Sequence, residues 1–378
     1  MSRAYLDHAS SSPLRPAAFE AMAPFLRDHH ADPGRLHAEG RVTRVALEDA
    51  REEVAALLDA RPREVVFTSG GTEAINAAVF GAVARATGTV HVVTTAVEHS
   101  AVLDACRRAD VELTVVGVNG LGRFDADEVL AAVRPDTALV TVQLANHEVG
   151  TLQPAAAVAA GCRERAVLVH VDACMAVGHV PVSFAGLGAD LLSVSAHKFG
   201  GPKGAGAMLV RRGLRIPQFV VGGAQERARR GGLENVPAMV GFGAAAAELV
   251  ANDRLAAEGA QQRAFTDRIA DEAPARVDGV DRYGDAVERV PQMVCLGIAG
   301  VEAEPILLGL DQRGVAVHSG SACSSEALEP SPILAAMGVD ADHSLRVSVG
   351  WSTTPADVES FLDALPAVVE RLRALRAG

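Results

Sequence analysis

Three features of the sequence predict an α/β fold with a doubly wound, mostly parallel sheet. Segments with helical periodicity alternate with short apolar runs between about residues 15 and 250, which is the pattern of strands joined by helices. The runs are rich in valine and contain few polar residues, as expected for strands covered on both faces. Aromatic residues make up only 4% of the chain against 49% hydrophobic residues, so small aliphatic residues must supply the packing.

The predicted elements of this first region follow one another in regular order. Seven apolar runs are expected to form the sheet, at residues 64–67, 90–94, 113–118, 138–142, 167–171, 191–194 and 207–210. The Asn119-Gly120 turn predicts an amphipathic helix at 121–133. An alanine-rich pattern at 241–263 predicts one long helix that leads out of the region.

The remainder of the chain predicts a smaller α+β unit. Strands are expected at 294–298, 315–319 and 345–349, and a closing amphipathic helix at 355–375. A length of 378 residues exceeds one usual domain. We therefore predict a large domain at 15–250 and a small domain formed by 1–14 together with 251–378.

Charge and hydropathy narrow the functional classes. A formal net charge of −12 would repel a phosphate backbone, so we expect no direct nucleic-acid partner. We interpret the arginines at 227, 229 and 230 as part of a solvated loop. The first residues contain no apolar signal core, and no segment approaches the roughly 18 consecutive apolar residues of a membrane span. These features predict a soluble cytoplasmic enzyme without membrane contact.

The five cysteines predict reduced thiols and no metal site, because their number is odd and no CxxC pair occurs. Four of them are interpreted as small buried hydrophobic residues: Cys106, Cys162, Cys174 and Cys295. Cys323 differs from them in its surroundings, because it lies within the small-residue sequence Ser-Gly-Ser-Ala-Cys-Ser-Ser at 319–325. This setting favours an accessible thiol that acts as a nucleophile.

Two charged residues follow neighbouring predicted strands of the large domain. Asp172 and Lys198 are both expected at the carboxyl edge of the sheet, where open α/β sheets bind ligands. A buried Asp needs a cationic partner, and the protonated pyridine nitrogen of pyridoxal 5'-phosphate is one. A lysine amine can hold the same cofactor. Taken singly, the Asp could cap a helix and the Lys could be solvated, but together they favour a site for this cofactor.

Two further features would complete such a site. Gly70, Gly71 and Thr72 lie between a predicted strand and a helix whose first-turn amides could bind a phosphate, although Gly-Gly is also ordinary turn chemistry. His99 lies near the end of the strand at 90–94, where an imidazole could stack on the pyridine ring and move protons. A lone histidine is more often structural, so its neighbours support the functional interpretation.

In combination these motifs resemble the group I cysteine desulfurases of the nitrogen-fixation and iron–sulfur-assembly type, which are class-V aminotransferase-like enzymes of pyridoxal phosphate fold type I. The resemblance covers nearly the whole chain, in motifs at residues 5–9, 68–73, 98–99, 148–150, 170–173, 195–204, 222–226, 319–325 and 345–350. It implies a homodimer that converts L-cysteine to L-alanine and passes the sulfur, as a persulfide, to an acceptor protein.

The resemblance also implies a role for each matching residue. Lys198 would carry the cofactor, Cys323 would take the sulfur and His99 would stack on the ring. Arg346 would bind the substrate carboxylate, a role that suits a guanidinium. The other cofactor-binding residues that it implies are Gly71, Thr72, His147, Asp172, Met175, Ser195 and His197, with His147 also close to the substrate.

Three positions depart from the family pattern. His147 stands where Asn is usual and can still donate a hydrogen bond, whereas Met175 replaces a Gln and cannot. Leu233 replaces a Thr that reaches the phosphate bound by the other subunit, so one contact between subunits would be lost. For the changes at His147 and Met175 we expect altered cofactor absorbance or weaker cofactor retention.

Two other functions stay open on the sequence. One is a different class-V reaction, such as that of a selenocysteine lyase, an amino-acid lyase or an aminotransferase. The other is a sulfur-relay scaffold or regulator that has kept the fold and lost turnover. Replacement of Cys323 separates the first from a desulfurase, because transamination does not need that thiol.

Overall fold

The computed structural model describes residues 3–319 and 330–377. Its strands are β1 (Ala4–Tyr5), β2 (Val65–Thr68), β3 (His91–Thr95), β4 (Glu112–Val116), β5 (Thr137–Gln143), β6 (Leu168–Asp172), β7 (Leu191–Ser195), β8 (Gly206–Val210), β9 (Val280–Tyr283), β10 (Met293–Ile298), β11 (Val315–Ala316), β12 (His318–Ser319) and β13 (Ser344–Ser348). Its helices are α1 (Pro16–Arg27), α2 (Ala38–Leu57), α3 (Gly71–Val83), α4 (Ser100–Arg108), α5 (Ala126–Ala131), α6 (Ala155–Glu164), α7 (Phe184–Leu187), α8 (Gln225–Ala228), α9 (Val236–Val250), α10 (Arg254–Arg276), α11 (Ala303–Gln312), α12 (Pro332–Met337) and α13 (Pro355–Ala377).

The large sheet has seven strands in the order β2-β8-β7-β6-β5-β3-β4. The run from β4 to β7 is parallel, and β8 is antiparallel to both of its neighbours. Every residue of β3, β7 and β8 is buried, as valine-rich strands covered on both faces require. The predicted α/β fold with a mostly parallel sheet is confirmed.

Two predicted helices are wrong in extent, and local hydrogen bonding explains both. The amide carbonyl of Asn119 accepts from the backbone N–H groups of Leu121 and Arg123, which holds the chain in a turn until Asp125 caps α5. The long helix expected at 241–263 is two helices, α9 and α10. Asn252 and Asp253 adopt left-handed backbone angles between them, with φ of 51° and 56°, which ends the helical ladder.

Three further differences concern short strands. The strand expected at 315–319 is divided into β11, which pairs with β1, and β12, which pairs with β13. Strands β1 and β9 were not predicted, because β1 has two residues and β9 is polar along its exposed side. Short elements of this kind take their conformation from their partners rather than from their own pattern.

A second sheet, in the order β12-β13-β10-β9, is antiparallel and packs against α10 and α11, and α13 shares its hydrophobic core. Its hydrophobic core joins Leu6 from the N-terminus to residues such as Leu296 and Phe361. This shared core supports the predicted small domain of 1–14 with 251–378, which stays a prediction. No helix among the described residues is long and apolar enough to cross a membrane.

The segment after β1 connects the two sheets at one place. Its residue Asp7 forms a bridge with Ser348 of β13, and Ser12 donates its backbone N–H to the carbonyl of His197, which follows β7. Arg15 is buried and donates to both carboxylate oxygens of Glu258, at 2.8 and 2.6 Å. The N-terminal segment is therefore held along the carboxyl edge of the large sheet.

Candidate active site

A cavity of about 530 Å³ opens at the carboxyl edge of the large sheet. Each predicted site residue that the structure describes lines it: Gly71, Thr72, His99, His147, Asp172, Met175, Ser195, His197, Lys198 and Arg346. The fold thus brings together residues that are far apart in the sequence, since 275 positions separate Gly71 from Arg346. Cys323, the remaining predicted residue, lies outside the described residues.

Asp172 and Lys198 reach this cavity because their strands are neighbours. Asp172 is the last residue of β6, is only 7% exposed, and accepts a hydrogen bond from the backbone N–H of Cys174. Lys198 ends the turn that follows β7, and its Nζ donates to the backbone carbonyls of Ala9 at 2.6 Å and Ser10 at 3.3 Å. Lys198 and Lys203 are the only lysines in the sequence, and both line the cavity.

Two histidines form one side of the cavity. His99 caps α4, and its Nδ1 accepts the backbone N–H of Ala101 at 3.1 Å, so a neutral ring carries its proton on Nε2. His147 lies with its ring centroid 5.0 Å from that of His99. Burial, together with the nearby charges of His99, Arg346 and Lys198, lowers the pKa of His147 well below its usual value. His147 is therefore a neutral imidazole that can donate one hydrogen bond and accept one.

The start of α3 forms another part of the cavity wall. A Cβ at Gly71 would lie 2.5 Å from Sγ of Cys174, so a side chain at this position could not fit without a shift. The Nδ1 atom of His197 is buried and has no hydrogen-bond partner among the described residues. Burial and the charges of Lys198 and Lys203 lower the pKa of His197 to about 4. A neutral ring nitrogen, a helix N-terminus and lysine charge suit a phosphate group.

Arg346 projects from β13 into the cavity wall and is 1% exposed. Its Nη1 donates to the backbone carbonyl of His147 at 2.9 Å, and its Nη2 donates to Asp7 Oδ1 at 3.1 Å and to Ser10 Oγ at 2.8 Å. Its Nε is buried and has no hydrogen-bond partner among the described residues. A buried cation with a spare donor can bind a carboxylate.

The structure corrects the interpretation of Cys174. Cys106, Cys162 and Cys295 are fully buried as expected, but Cys174 is partly exposed and lines the cavity. The chain turns at the end of β6, and this turn directs the residue after Ala173 towards the cavity instead of into the core. Burial and the neighbouring Asp172 raise the pKa of the Cys174 thiol well above its usual value, so it is a poor nucleophile at neutral pH.

Sequence reasoning also missed several residues of the cavity wall, notably Gln143, Ser10 and Lys203. Gln143 pairs in register with Asp172 on the adjacent strand, so its position at a strand end was an available signal. Among the positions that depart from the family pattern, Met175 lines the cavity, whereas Leu233 is 62% exposed and does not.

Comparison with known proteins agrees with this geometry. Residues 4–361 match the aminotransferase class-V family. A protein named cysteine desulfurase IscS from Dictyoglomus turgidum is 41% identical, over 98% of this chain and 95% of its own length. Another of that name from Methanosarcina thermophila is 37% identical, over 98% of this chain and 92% of its own.

Solved structures show the same relationship. A NifS-like protein superposes with a TM-score of 0.91 at 29% identity, over 98% of this chain and all of its own. A protein called SspA, solved in complex with cysteine, superposes with a TM-score of 0.81 at 29% identity, over 91% of this chain and 98% of its own.

The seven-stranded sheet and the cavity at its carboxyl edge define a class, and the chain belongs to the class-V aminotransferase family, whose members depend on pyridoxal 5'-phosphate. Within that family it matches cysteine desulfurases at about 40% identity along nearly its full length. The protein is a cysteine desulfurase of the IscS/NifS-like type. The predicted family is confirmed.

Proposed function

We propose that this desulfurase takes sulfur from L-cysteine with pyridoxal 5'-phosphate held on Lys198, and receives it on Cys323 as a persulfide. The observation that carries the proposal is the meeting of Lys198, Asp172 and Arg346 around one cavity. An amine, a carboxylate and a guanidinium at these places suit the aldehyde, the ring nitrogen and the substrate carboxylate respectively. SspA, a structural relative, was solved with cysteine bound, which supports the choice of substrate.

The described residues fit the cofactor at both of its ends. Asp172 would pair with the pyridine nitrogen, and Gly71, Thr72, Ser195 and His197 would hold the phosphate. The Nδ1 atom of His197 is available for this, since it has no partner in the described part of the chain. His147 and Met175 would lie beside the ring. When bound, pyridoxal phosphate supplies an electron sink for the carbon atoms of the substrate.

The protein supplies orientation and proton transfer. Arg346 would hold the substrate carboxylate, which fixes the substrate relative to Lys198. The Lys198 amine and Nε2 of His99, which both lie at the cavity, would carry a proton to and from a substrate carbon. Residues of β6, β7 and the N-terminal segment would surround the bound substrate in this cavity.

In the sulfur-transfer step, the Cys323 thiolate would attack Sγ of the substrate. A new S–S bond forms as the Cβ–Sγ bond of the substrate breaks, and the bonding electrons stay on the carbon, which takes up a proton. The products are L-alanine and a persulfide on Cys323, from which a thiol of an acceptor protein takes the outer sulfur. Cys174 lies in the cavity, but its raised pKa makes it a poor substitute for Cys323.

The test is incubation with L-cysteine and a reductant. We expect alanine and sulfide in a one-to-one ratio from the wild-type protein, and neither above background from Cys323→Ala. The Cys323→Ala protein should keep the cofactor absorbance of the wild type, since that thiol is not assigned to cofactor binding. Alanine formation at the wild-type rate by Cys323→Ala would contradict the assignment of the nucleophile. A colourless protein that makes no alanine would indicate a scaffold.

We also propose a homodimer in the cytoplasm, with an acceptor protein as the second partner. Support for a dimer comes from exposed apolar side chains on the segment after β8, at Phe219, Val221 and Leu233. Arg230 of this segment pairs with Glu73, which lines the cavity, so a second subunit placed here would lie close to the site. Light scattering of the wild type and of Val221→Asp tests this, with a monomeric wild type as the contrary result. The free thiols of the described cysteines agree with a reducing compartment.

A further inference from the structure

Asp7 and Ser10 hold the arginine of the substrate wall in a way that affects how a carboxylate can bind. A guanidinium has five N–H hydrogens and offers a carboxylate two parallel pairs, one from Nε with Nη2 and one from Nη1 with Nη2. Nη2 of Arg346 already donates to Asp7 Oδ1 and to Ser10 Oγ, two acceptors that are themselves 2.9 Å apart. Since Nη2 belongs to both pairs, a carboxylate that takes two hydrogen bonds competes with these two partners for the same nitrogen.

The two partners differ in how easily they can leave. Asp7 is charged, and its backbone is anchored by the bridge to Ser348, so its carboxylate is fixed beside Arg346. Ser10 is neutral, and its hydroxyl is 2.9 Å from Asp7 Oδ1, to which it donates. The serine hydroxyl can therefore release Arg346 and keep its hydrogen bond to Asp7. Asp7 cannot move away without leaving the buried guanidinium of Arg346 unpaired.

We propose that Asp7 is a positioning residue for Arg346 and that Ser10 is a placeholder that the substrate carboxylate displaces. Ser10 Oγ accepts from Nη2, the nitrogen that forms one of the two pairs with Nε, and Nε has no hydrogen-bond partner among the described residues. The backbone carbonyl of Ser10 also accepts from Lys198, so the same residue adjoins the amine that carries the cofactor. This inference rests on the proposed role of Arg346 in binding the substrate carboxylate.

The two residues predict effects of opposite sign on substrate affinity. Ser10→Ala removes the group that must be displaced, so we expect KM for L-cysteine to fall by about threefold, the effect of one neutral hydrogen bond. Asp7→Asn removes the charge that fixes Arg346, so we expect KM to rise by about tenfold, the effect of one charge-assisted hydrogen bond. In both variants kcat should stay within about twofold, since neither residue is assigned to the reacting atoms.

A binding measurement separates positioning from turnover. Titration of the cofactor-loaded protein with the product L-alanine, followed by calorimetry, should give a lower Kd for Ser10→Ala and a higher Kd for Asp7→Asn. Asp7→Glu, which keeps the charge, should restore part of the affinity, and thermal melting reports any loss of folding. Asp363→Asn is the matched control, because it removes a surface carboxylate that accepts a hydrogen bond from Arg276. It should change neither the KM for L-cysteine nor the Kd for L-alanine.

The outcome distinguishes this inference from the function on which it rests. A rise in KM for Ser10→Ala, or an unchanged KM for Asp7→Asn, overturns the placeholder and positioning roles. Arg346→Lys serves as the reference variant, because Lys cannot donate a parallel pair. If Arg346→Lys leaves the KM for L-cysteine and the Kd for L-alanine unchanged, the assignment of Arg346 to the substrate carboxylate is wrong. If Arg346→Lys raises both constants while the Asp7 and Ser10 variants leave them unchanged, only the present inference fails.

Discussion

The two walls of the cavity are built in different ways. The cofactor wall consists of Asp172, Lys198 and the start of α3, and each member is placed by its own strand or helix terminus. The substrate wall consists of Arg346 with Asp7 and Ser10, which come from opposite ends of the chain and hold one another by side-chain hydrogen bonds. The first wall is organised by the backbone and the second by a side-chain network.

This difference indicates where each wall can be altered. On the cofactor wall, a substitution should remove one chemical function and leave its neighbours in place, because separate elements position them. On the substrate wall, a substitution should change the geometry of its neighbours as well, because the three side chains share their donors and acceptors. The following predictions test this contrast, from the largest expected effect to the smallest.

The largest effect is expected from Lys198→Ala. Loss of the amine should lower cysteine turnover by roughly a thousandfold or more, because covalent cofactor attachment and a proton carrier are lost together. Alanine release measures this loss. Borohydride reduction of the wild type, followed by peptide mass spectrometry, should place the cofactor on Lys198 and leave Lys203, the other lysine of the chain, unmodified. Modification of Lys203 alone would contradict the arrangement of the cofactor wall.

Asp172→Asn should lower kcat by about a hundredfold, since a neutral amide no longer holds a proton on the pyridine nitrogen. The Kd for L-alanine should change much less, because Asp172 is not connected to the Arg346 network. Rapid-mixing kinetics and calorimetry measure the two quantities. Asp104→Asn, on the exposed face of α4, is the control. An equal loss in kcat and in affinity would mean that the two walls are not independent.

Acid should destabilise the strands beneath the cofactor wall. His170 in β6 is fully buried between the hydroxyls of Thr141 and Ser193, and burial lowers its pKa to about 4. The unfolded chain, with a histidine pKa of about 6.5, binds more protons below that pH, so stability is lost as pH falls towards 4. Between pH 7 and pH 5, proton uptake by His170 in the unfolded chain should lower the free energy of unfolding by about 2 kcal/mol.

Urea unfolding at pH 7 and pH 5 measures this change. His170→Asn, which cannot take up a proton in this range, should show a smaller difference in unfolding free energy between the two pH values than the wild type. Equal pH dependence in wild type and variant would exclude His170 as the source.

The smallest effect is expected from His147→Asn, because this residue contributes differently to the two walls. Its side chain lies beside His99 on the cofactor side, whereas its backbone carbonyl accepts from Arg346. The substitution should therefore shift the absorbance maximum of the bound cofactor and leave the Kd for L-alanine within about twofold. Absorbance spectra and calorimetry test this. A large change in Kd without a spectral shift would reverse the assignment.

Much of the cofactor wall was predictable because its signals are local. A valine-rich run followed by Asp172, and the next run followed by Lys198, are enough to place both residues at one edge of a parallel sheet. The same reasoning placed His99 and Gly71 near the cavity. The interpretation of Cys174 was wrong because cysteine is usually a core residue, and only the turn after β6 directs this side chain into the cavity.

The sequence by itself determined the α/β class, the order of the strands along the chain and the residue types needed for pyridoxal phosphate chemistry, since periodicity and strand ends are properties of short segments. Only the tertiary structure decided that β1 pairs with β11, that α9 and α10 are separate helices, and that Asp7 and Ser10 hold Arg346. These contacts join segments more than 300 residues apart or depend on a few backbone angles. Their energies come from packing between elements, which no local pattern contains.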